Sequence, residues 1–169
     1  MGSDEKRKIL EVLKEKKIVI KRVTLKDTDI IKEVIELERK IFNGKGNINF
    51  WLLKAFVRYG VVYILSKDEK IIAVTEYMQV LNEKELFLYG CFTVEEHRKK
   101  GYGKILLEYG ELEMEKMGIN TISLTVDPEN KLALKLYEKL GYEKTAFLKD
   151  EYGAGVDREQ LKKTIKMKK

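Results

Sequence analysis

Cysteine, histidine and long apolar runs are scarce in this chain of 169 residues, and each scarcity excludes a class of protein. The single cysteine, Cys91, cannot form a disulfide within the chain, and with one histidine it offers too few ligands for an ordinary transition-metal site. No apolar run reaches the roughly 18 residues that a membrane-spanning helix needs. The first 17 residues also lack the long apolar centre of a secretory signal. These absences predict a cytoplasmic protein that binds no metal and no membrane.

Positive and negative charges are mixed along almost the whole chain. It has 34 Lys and Arg residues against 28 Asp and Glu residues, which gives a net charge of +6. An excess of this sign attracts polyanions such as nucleic acids. Only residues 97–104 and 162–169 are strongly one-signed, however, and no run interleaves aromatic residues with Arg or Lys as a base-stacking surface would. A basic nucleic-acid-binding domain is therefore an alternative and not the first interpretation.

Apolar periodicity predicts helices and strands in an order typical of a mixed sheet with helices on its faces. Helical patterns occupy residues 4–17, 27–42, 48–60, 103–117 and 127–142. Strand patterns occupy residues 18–24, 61–66, 70–80, 85–94, 121–126, 143–150 and 160–168. The predicted fold class is α/β with mixed α+β character: about seven strands, flanked by four helices, with an additional N-terminal helix. Residues 1–17 are predicted to form a helical extension, and residues 18–169 to form the main domain.

Two details of packing follow from the same patterns. Residues 85–94 are almost wholly apolar, which predicts a strand covered on both faces. In the helix over residues 103–117, the apolar spacing predicts a buried face formed by Ile105, Leu106, Tyr109 and Leu112. The opposite, exposed face is predicted to carry Lys104, Glu108, Glu111 and Glu115.

The segment EEHRKKGYG, residues 95–103, connects a predicted strand to a predicted helix. A helix that follows a strand in this way presents its unpaired N–H groups to an anion. Gly101 and Gly103 permit a close approach that a β-carbon would block, and the neighbouring Arg and Lys residues add positive charge. The sequence therefore predicts a pyrophosphate-binding loop, against the alternative of a glycine-rich turn with solvated lysines. Neither GxxxxGK[ST] nor GxGxxG is present, which argues against a nucleoside triphosphate or a dinucleotide.

Arg98, Gly101 and Gly103, in the spacing RxxGxG, resemble the acyl-CoA loop of the GNAT superfamily of N-acetyltransferases. The segment TVDPENKLALKLYEKLGYEKT, residues 125–145, is similar to a second hallmark of that family, with an Asn, a Leu-Tyr pair and a closing Leu-Gly-Tyr. The two hallmarks occur in the family's order, and the predicted elements from residue 18 onward follow that order as well. The main domain therefore resembles a GNAT domain.

The resemblance implies acetyl-CoA as co-substrate and assigns its binding residues. In the family, backbone groups of the strand before the loop hold the pantetheine arm and the thioester, and here these belong to Cys91, Phe92 and Thr93. The Asn at the start of the second hallmark, here Asn130, lies beside the pantetheine. The tyrosine of the following helix, here Tyr137, points to the thioester sulfur. The residues implied in pyrophosphate binding are Arg98, Lys99, Lys100, Gly101, Tyr102, Gly103 and Lys104.

Acetyl transfer to an amine needs a proton acceptor, an N–H donor for the oxyanion and a proton donor for the departing thiolate. The resemblance implies Tyr137 as the proton donor, against the alternative of an ordinary core tyrosine. Glu76 interrupts an apolar strand and is the predicted base, against the alternative of an exposed strand residue. Some family members carry a Glu where this chain has Thr125, so the subfamily stays unassigned. His97 is expected to pack at the surface, and Cys91 to belong to the core rather than act as a nucleophile.

The first interpretation is an acetyl-CoA-dependent N-acetyltransferase in which a primary amine attacks the thioester directly in a ternary complex. The alternatives are the basic nucleic-acid-binding domain and a CoA-binding regulator without catalysis. The acceptor is open between a peptide N-terminus, a polyamine and another small amine. Residues 27–60 and 150–157 are expected to wall its site, as they do in the family, with Trp51, Tyr59 and Tyr152 among them. The oligomeric state is open, with a homodimer as one alternative, and so is the role of the N-terminal helix.

Overall fold

The computed structural model describes residues 2–42 and 48–165, which form one seven-stranded mixed sheet with helices on both faces. The helices are α1 (Gly2–Glu15), α2 (Thr28–Ile41), α3 (Phe50–Tyr59), α4 (Tyr102–Lys116) and α5 (Lys131–Lys139). The strands are β1 (Ile18–Arg22), β2 (Val61–Lys67), β3 (Lys70–Gln79), β4 (Glu85–Thr93), β5 (Thr121–Val126), β6 (Glu143–Leu148) and β7 (Arg158–Thr164). The predicted fold class and order of elements are confirmed. Residues 166–168 of the last predicted strand lie outside the described part of the chain.

The strands lie in the order β1-β2-β3-β4-β5-β7-β6, and neighbouring strands are antiparallel except for β4 and β5. A parallel pair needs a crossover on one face of the sheet, and α4 provides it between β4 and β5. Strand β7 is inserted between β5 and β6, so the last hairpin extends the sheet beyond the crossover. The parallel pair therefore lies inside the sheet, and the connection to α4 leaves from the carboxyl end of β4.

Two apolar clusters cover the two faces of the sheet. One cluster joins α4 and α5 to the strands and includes Leu106 and Leu140. The other joins α2 and α3 to the strands and includes Val34 and Leu53. Leu13 of α1 packs against the first cluster, so α1 lies on the same face as α4. The division of the chain into an N-terminal extension and a main domain stays a prediction.

The predicted buried face of α4 is correct only at Leu106. The most buried residues of the helix are Tyr102, Leu106, Leu107, Gly110 and Met114. Three of the predicted core positions are only partly buried: Ile105, Tyr109 and Leu112. The reason is Gly110, where a Cβ would lie 3.0 Å from the Tyr77 hydroxyl, so α4 approaches the sheet closely along its glycine side. This orientation also turns Glu111, predicted to be exposed, inward to an ion pair with Lys163 at 2.5 Å.

Candidate active site

The parallel pairing between β4 and β5 stops partway along both strands. It joins residues 85–88 to residues 121–124 and goes no further. Beyond Leu88, β4 is paired only with β3, and beyond Leu124, β5 is paired only with β7. The two strands therefore separate and leave a cleft between them, with unpaired N–H and C=O groups of β4 along one wall.

A β-bulge in β4 lies where this cleft begins. Glu76 of β3 is opposite Gly90 and Tyr77 is opposite Leu88, so Tyr89 has no partner on β3. An extra residue of this kind bends a strand and increases its twist. It also leaves the Tyr89 side chain 42% exposed, so the coverage of this strand on both faces is interrupted at this residue.

The loop after β4 places the amino end of α4 beside the cleft. Gly101 precedes the helix with a φ of +82°, a left-handed conformation that residues with a β-carbon rarely adopt. The Ile105 N–H donates to the Gly101 carbonyl at 3.0 Å, and the N–H groups of residues 102–104 have no acceptor within the helix. A Cβ on Gly103 would lie 3.1 Å from the Thr93 hydroxyl oxygen, so the helix begins against the last residue of β4. This arrangement can bind a phosphate through backbone donors.

Several basic side chains of the loop are bound to the protein itself. Arg98 Nε donates to the Thr93 carbonyl at 3.1 Å, and Lys100 Nζ donates to the Glu96 carbonyl at 2.7 Å. Lys104 lies 3.4 Å from an acid one turn further along α4 in an exposed ion pair. Arg98 and Lys100 therefore hold the shape of the loop, and the unpaired N–H groups of α4 stay available to an anion.

The remaining loop residues differ in burial. Lys99 is exposed, with a φ of +61°. Tyr102 is buried, so its ring belongs to the core and its backbone is the part available to a ligand. The ring of His97 packs against the ring of Tyr102 with centroids 6.0 Å apart. The only imidazole of the chain is therefore part of the loop's packing.

Tyr137 of α5 is buried on the face of the sheet that α4 and α5 cover. Its ring makes an edge contact with the Tyr142 ring at 5.4 Å. Its hydroxyl is hydrogen-bonded to the thiol of Cys91, which belongs to the open part of β4. Burial is the main cause that raises the pKa of Tyr137 well above its ordinary value of 10, followed by the repulsion that an ionised Cys91 would exert on a tyrosinate. The hydroxyl is therefore protonated at neutral pH and can donate a proton near the cleft.

The neighbouring candidate residues contribute position and backbone groups. Asn130 precedes α5, and its Oδ1 accepts a hydrogen bond from the Ala133 N–H at 3.1 Å, which caps the helix that carries Tyr137. Burial raises the pKa of the Cys91 thiol to about 12, so this residue offers no thiolate at neutral pH. Phe92 packs with the α2–α3 cluster, on the face opposite to Cys91. The side chains of Cys91 and Phe92 thus enter two different cores, and their backbone groups remain for the cleft.

Glu76 lies on the α2–α3 face together with Glu38, an acid that the sequence patterns did not identify. Glu76 is 1% exposed and Glu38 is 4% exposed, so the alternative that Glu76 is an exposed strand residue is wrong. Burial, and then the negative charge of Glu38, raise the pKa of Glu76 to about 8. Burial raises the pKa of Glu38 to about 7. Glu38 continues the buried stripe of Ile31, Val34 and Ile35 at helical spacing, and that periodicity could have identified it.

The predicted walls of the acceptor site are described in part. Thr125 Oγ1 lies 3.1 Å from the Tyr152 hydroxyl, so the segment between β6 and β7 reaches the end of β5. Arg158 covers the Tyr152 ring at 5.1 Å from its centroid. On α3, Trp51 is 82% exposed. Residues 43–47, which belong to the other predicted wall, lie outside the described residues.

The part of the chain that the structure describes contains neither a cluster of metal ligands nor a membrane-spanning helix. Within residues 2–42 and 48–165, no group of three or more His, Cys, Asp and Glu residues could hold a metal ion. No helix in the same two segments is long and apolar enough to cross a membrane.

Comparison with known proteins shows one family whose members this chain resembles. Residues 31–142 match the Acetyltransferase (GNAT) family. The ribosomal protein bS18-alanine N-acetyltransferase of Escherichia coli is 32% identical over 88 residues, which are 52% of this chain and 58% of that protein. In this match the chain therefore spans less than two thirds of the relative's length.

Solved structures share the fold. The crystal structure of the ribosomal-protein alanine N-acetyltransferase from Escherichia coli has a TM-score of 0.66 at 22% identity, covering 89% of this chain and 97% of that one. The NatC complex bound to Gag peptide and CoA has a TM-score of 0.77 at 18% identity, covering 88% and 99%. At these identities the likeness shows the fold alone. The match to the family itself runs from the first turn of α2 to the residue before β6, and the chain belongs to the GNAT family of acetyltransferases.

Proposed function

We propose that this chain transfers an acetyl group from acetyl-CoA to a primary amine by direct attack within a ternary complex. The observation that carries the proposal is the open edge of β4, which leads to the amino end of α4. An extended pantetheine arm contains amide groups that can pair with an open strand as an added strand does. Its pyrophosphate can then bind the unpaired N–H groups that follow Gly101.

The residues proposed to hold acetyl-CoA are the predicted ones, with roles refined by their contacts. Backbone groups of residues 91–93 would contact the pantetheine and the thioester, and an N–H group of β4 would bind the oxyanion. Backbone groups of residues 99–104 would contact the pyrophosphate. Arg98 supports this loop through its bond to Thr93, and Asn130 positions α5.

The proposed base and acid lie on opposite faces of the sheet. Glu76 is close to Glu38 of α2, and Tyr137 belongs to the cluster under α4 and α5. Glu76 accepts a proton from the amine, and Tyr137 donates a proton to the thiolate as the C–S bond breaks. Burial disfavours a CoA thiolate beside Tyr137 just as it disfavours an ionised tyrosine. The pKa of the CoA thiol and the pKa of Tyr137 therefore rise together.

Binding of acetyl-CoA is the first test. At about 100 times its Kd, acetyl-CoA should add about 2.7 kcal/mol to the free energy of unfolding, because it binds the folded chain alone. Scanning calorimetry measures this change, with S-acetyl-N-acetylcysteamine, a thioester without phosphates, as the control ligand. The absence of a shift at millimolar acetyl-CoA in a folded protein would contradict the proposal. Binding without thiol release across a panel of primary amines would identify a CoA-binding regulator instead of an enzyme.

Gly103→Val should weaken acetyl-CoA binding about tenfold or more, which corresponds to about 1.4 kcal/mol. The new side chain would press on Thr93 and occupy the approach to the first N–H groups of α4. Glu115→Val introduces the same β-branched residue far from the loop on the same helix and should leave the Kd unchanged. Isothermal titration measures both variants. An unchanged Kd in a folded Gly103→Val protein would show that the loop is an ordinary turn and does not bind the pyrophosphate.

The proposed acceptor class is a primary amine, and two relatives favour a peptide N-terminus within it. One is named a ribosomal protein bS18-alanine N-acetyltransferase, and the structure of the other contains a Gag peptide. A polyamine or another small amine stays an alternative, since Thr125 replaces the Glu of some family members. The proposed compartment is the cytoplasm, on the basis of the sequence.

A further inference from the structure

Two buried carboxyl groups on the α2–α3 face of the sheet have oxygens without hydrogen-bond partners. Glu38 is 4% exposed and Glu76 is 1% exposed. Among the described residues, Glu38 Oε2 and both carboxyl oxygens of Glu76 have no hydrogen-bond partner. Burying an ionisable group without a partner costs several kcal/mol, so such an arrangement is seldom incidental to function.

The pair lies against the open part of β4. Gly90 is opposite Glu76 in the sheet, and any side chain at Gly90 would collide with Glu76 Oε2. The glycine therefore makes room for the carboxyl group directly on the strand that borders the cleft. The neighbouring residue, Tyr89, packs its ring 4.9 Å from Phe56 of α3. The two carboxyl groups are thus enclosed by α2, β3 and β4 at the place where the strands separate.

The surroundings of the pair hold negative and neutral groups. Tyr89 has a pKa raised by burial and then by Glu38, Glu76 and Tyr152. The pKa of the Cys91 thiol is raised by burial, and the charge of Glu76 raises it as well. None of the described groups that shift the pKa values of Glu38 and Glu76 is cationic. A cation brought by a ligand would therefore meet no competing positive charge among these groups.

We propose that Glu38 and Glu76 form a single ammonium site that selects the acceptor as a cation, with Glu38 as counter-charge and Glu76 as proton acceptor. The proposal rests on the proposed acetyl transfer and adds to it the charge of the substrate and a role for Glu38. It applies to a protonated peptide N-terminus and to a polyamine alike, because both present the same R–NH3+ group.

The protons and electrons of the reaction balance in this arrangement. The R–NH3+ group binds the ionised pair, and one proton moves to Glu76 and then to water. The nitrogen lone pair of R–NH2 attacks the thioester carbon, and the C–S electron pair leaves with the CoA sulfur. Tyr137 protonates that sulfur and regains a proton from solvent, while the nitrogen loses a second proton to solvent. The net products are the amide, CoA–SH and one proton.

The coupling within the pair can be measured. Two interacting carboxyl groups titrate as a pair, and the charge of each raises the pKa of the other. In a 13C titration of the glutamate carboxyls, Glu38→Gln should therefore lower the Glu76 midpoint, by about one pH unit. Glu76→Gln should in turn lower the Glu38 midpoint. Glu33→Gln removes an exposed acid from the same helix and should move neither.

A cationic probe completes the experiment on the unmodified chain. With CoA in place of acetyl-CoA, n-butylammonium should lower both midpoints, because its charge favours the ionised pair, while n-butanol should not. Midpoints near 4.5 for both residues, or midpoints unmoved by n-butylammonium, would overturn the ammonium site even if Glu38→Gln does not fold. Calorimetric binding of acetyl-CoA reports separately on the proposed acetyl transfer. If acetyl-CoA does not bind, but both carboxyl midpoints are raised and n-butylammonium lowers them, the proposed acetyl transfer is refuted and the proposed ammonium site is supported.

Discussion

Tyr137→Phe should lower turnover about 10²- to 10⁴-fold while the Kd of acetyl-CoA changes little. The substitution removes the hydroxyl that would protonate the thiolate and keeps the ring that contacts Tyr142. General acid catalysis of this size corresponds to about 3 to 5 kcal/mol of activation free energy. Thiol release with a saturating amine, or slow hydrolysis of acetyl-CoA as a substitute, measures turnover, and titration calorimetry measures the Kd.

Tyr142→Phe is the matched control for this experiment. Tyr142 is buried in the same cluster, and its hydroxyl lies beside the carboxyl group of Glu111. Its loss should affect stability more than turnover. If Tyr137→Phe instead works within a factor of about two of the parent, in a step limited by chemistry, Tyr137 is a core tyrosine and water protonates the sulfur.

Glu76→Gln should lower kcat/KM about 10²- to 10⁴-fold, because the amide cannot accept the proton of the amine. In the parent, activity should rise with pH and level off above about 8, since the raised pKa of Glu76 keeps it protonated below that value. The variant should lose this part of the pH profile. Steady-state rates between pH 6 and 10 test both statements, and Glu83→Gln, an exposed acid, is the control.

The stability of the same variant separates lost catalysis from lost folding. The pKa of Glu76 is raised from 4.5 in the unfolded chain to about 8 in the fold, so the folded state holds the proton more tightly. The contribution of Glu76 to stability is therefore fully present below pH 4.5 and is lost as the pH rises through about 8. Glu76→Gln should be relatively more stable than the parent at pH 9. An inactive variant that also unfolds more readily at pH 9 would argue against the assignment.

Local patterns were sufficient to predict the elements and the loop. Apolar periodicity locates α2, α3 and β5 because side-chain spacing repeats within each element. The glycines in the loop report a backbone requirement, and Gly101 indeed adopts a left-handed conformation at the start of α4. Asn130 occupies the cap of α5, where short polar side chains are preferred. Each of these features depends on a few consecutive residues.

Features that depend on distant residues were not predictable in this way. The cleft exists because β4 and β5 stop pairing after Leu88, and in the sequence those two strands are separated by the whole of α4. Glu38 meets Glu76 only through the packing of α2 on the sheet. Arg98 Nε binds a carbonyl at the end of β4, so this side chain supports the loop in a way that the sequence did not predict. The rotation of α4 about its axis likewise depends on Gly110 meeting Tyr77.

The unpaired Tyr89 determines on which face of the sheet each later residue of β4 lies. In an unbroken strand, alternate residues share a face, so Leu86 and Leu88 would share theirs with Gly90 and Phe92. The extra residue exchanges the faces: Cys91 joins Leu86 and Leu88 in the α4–α5 core, and Phe92 enters the other. If Tyr89 were instead paired regularly with Glu76, Cys91 and Phe92 would exchange faces, and Tyr137 would lose its thiol partner. The bulge at Tyr89 therefore determines which of the later residues of β4 faces Tyr137.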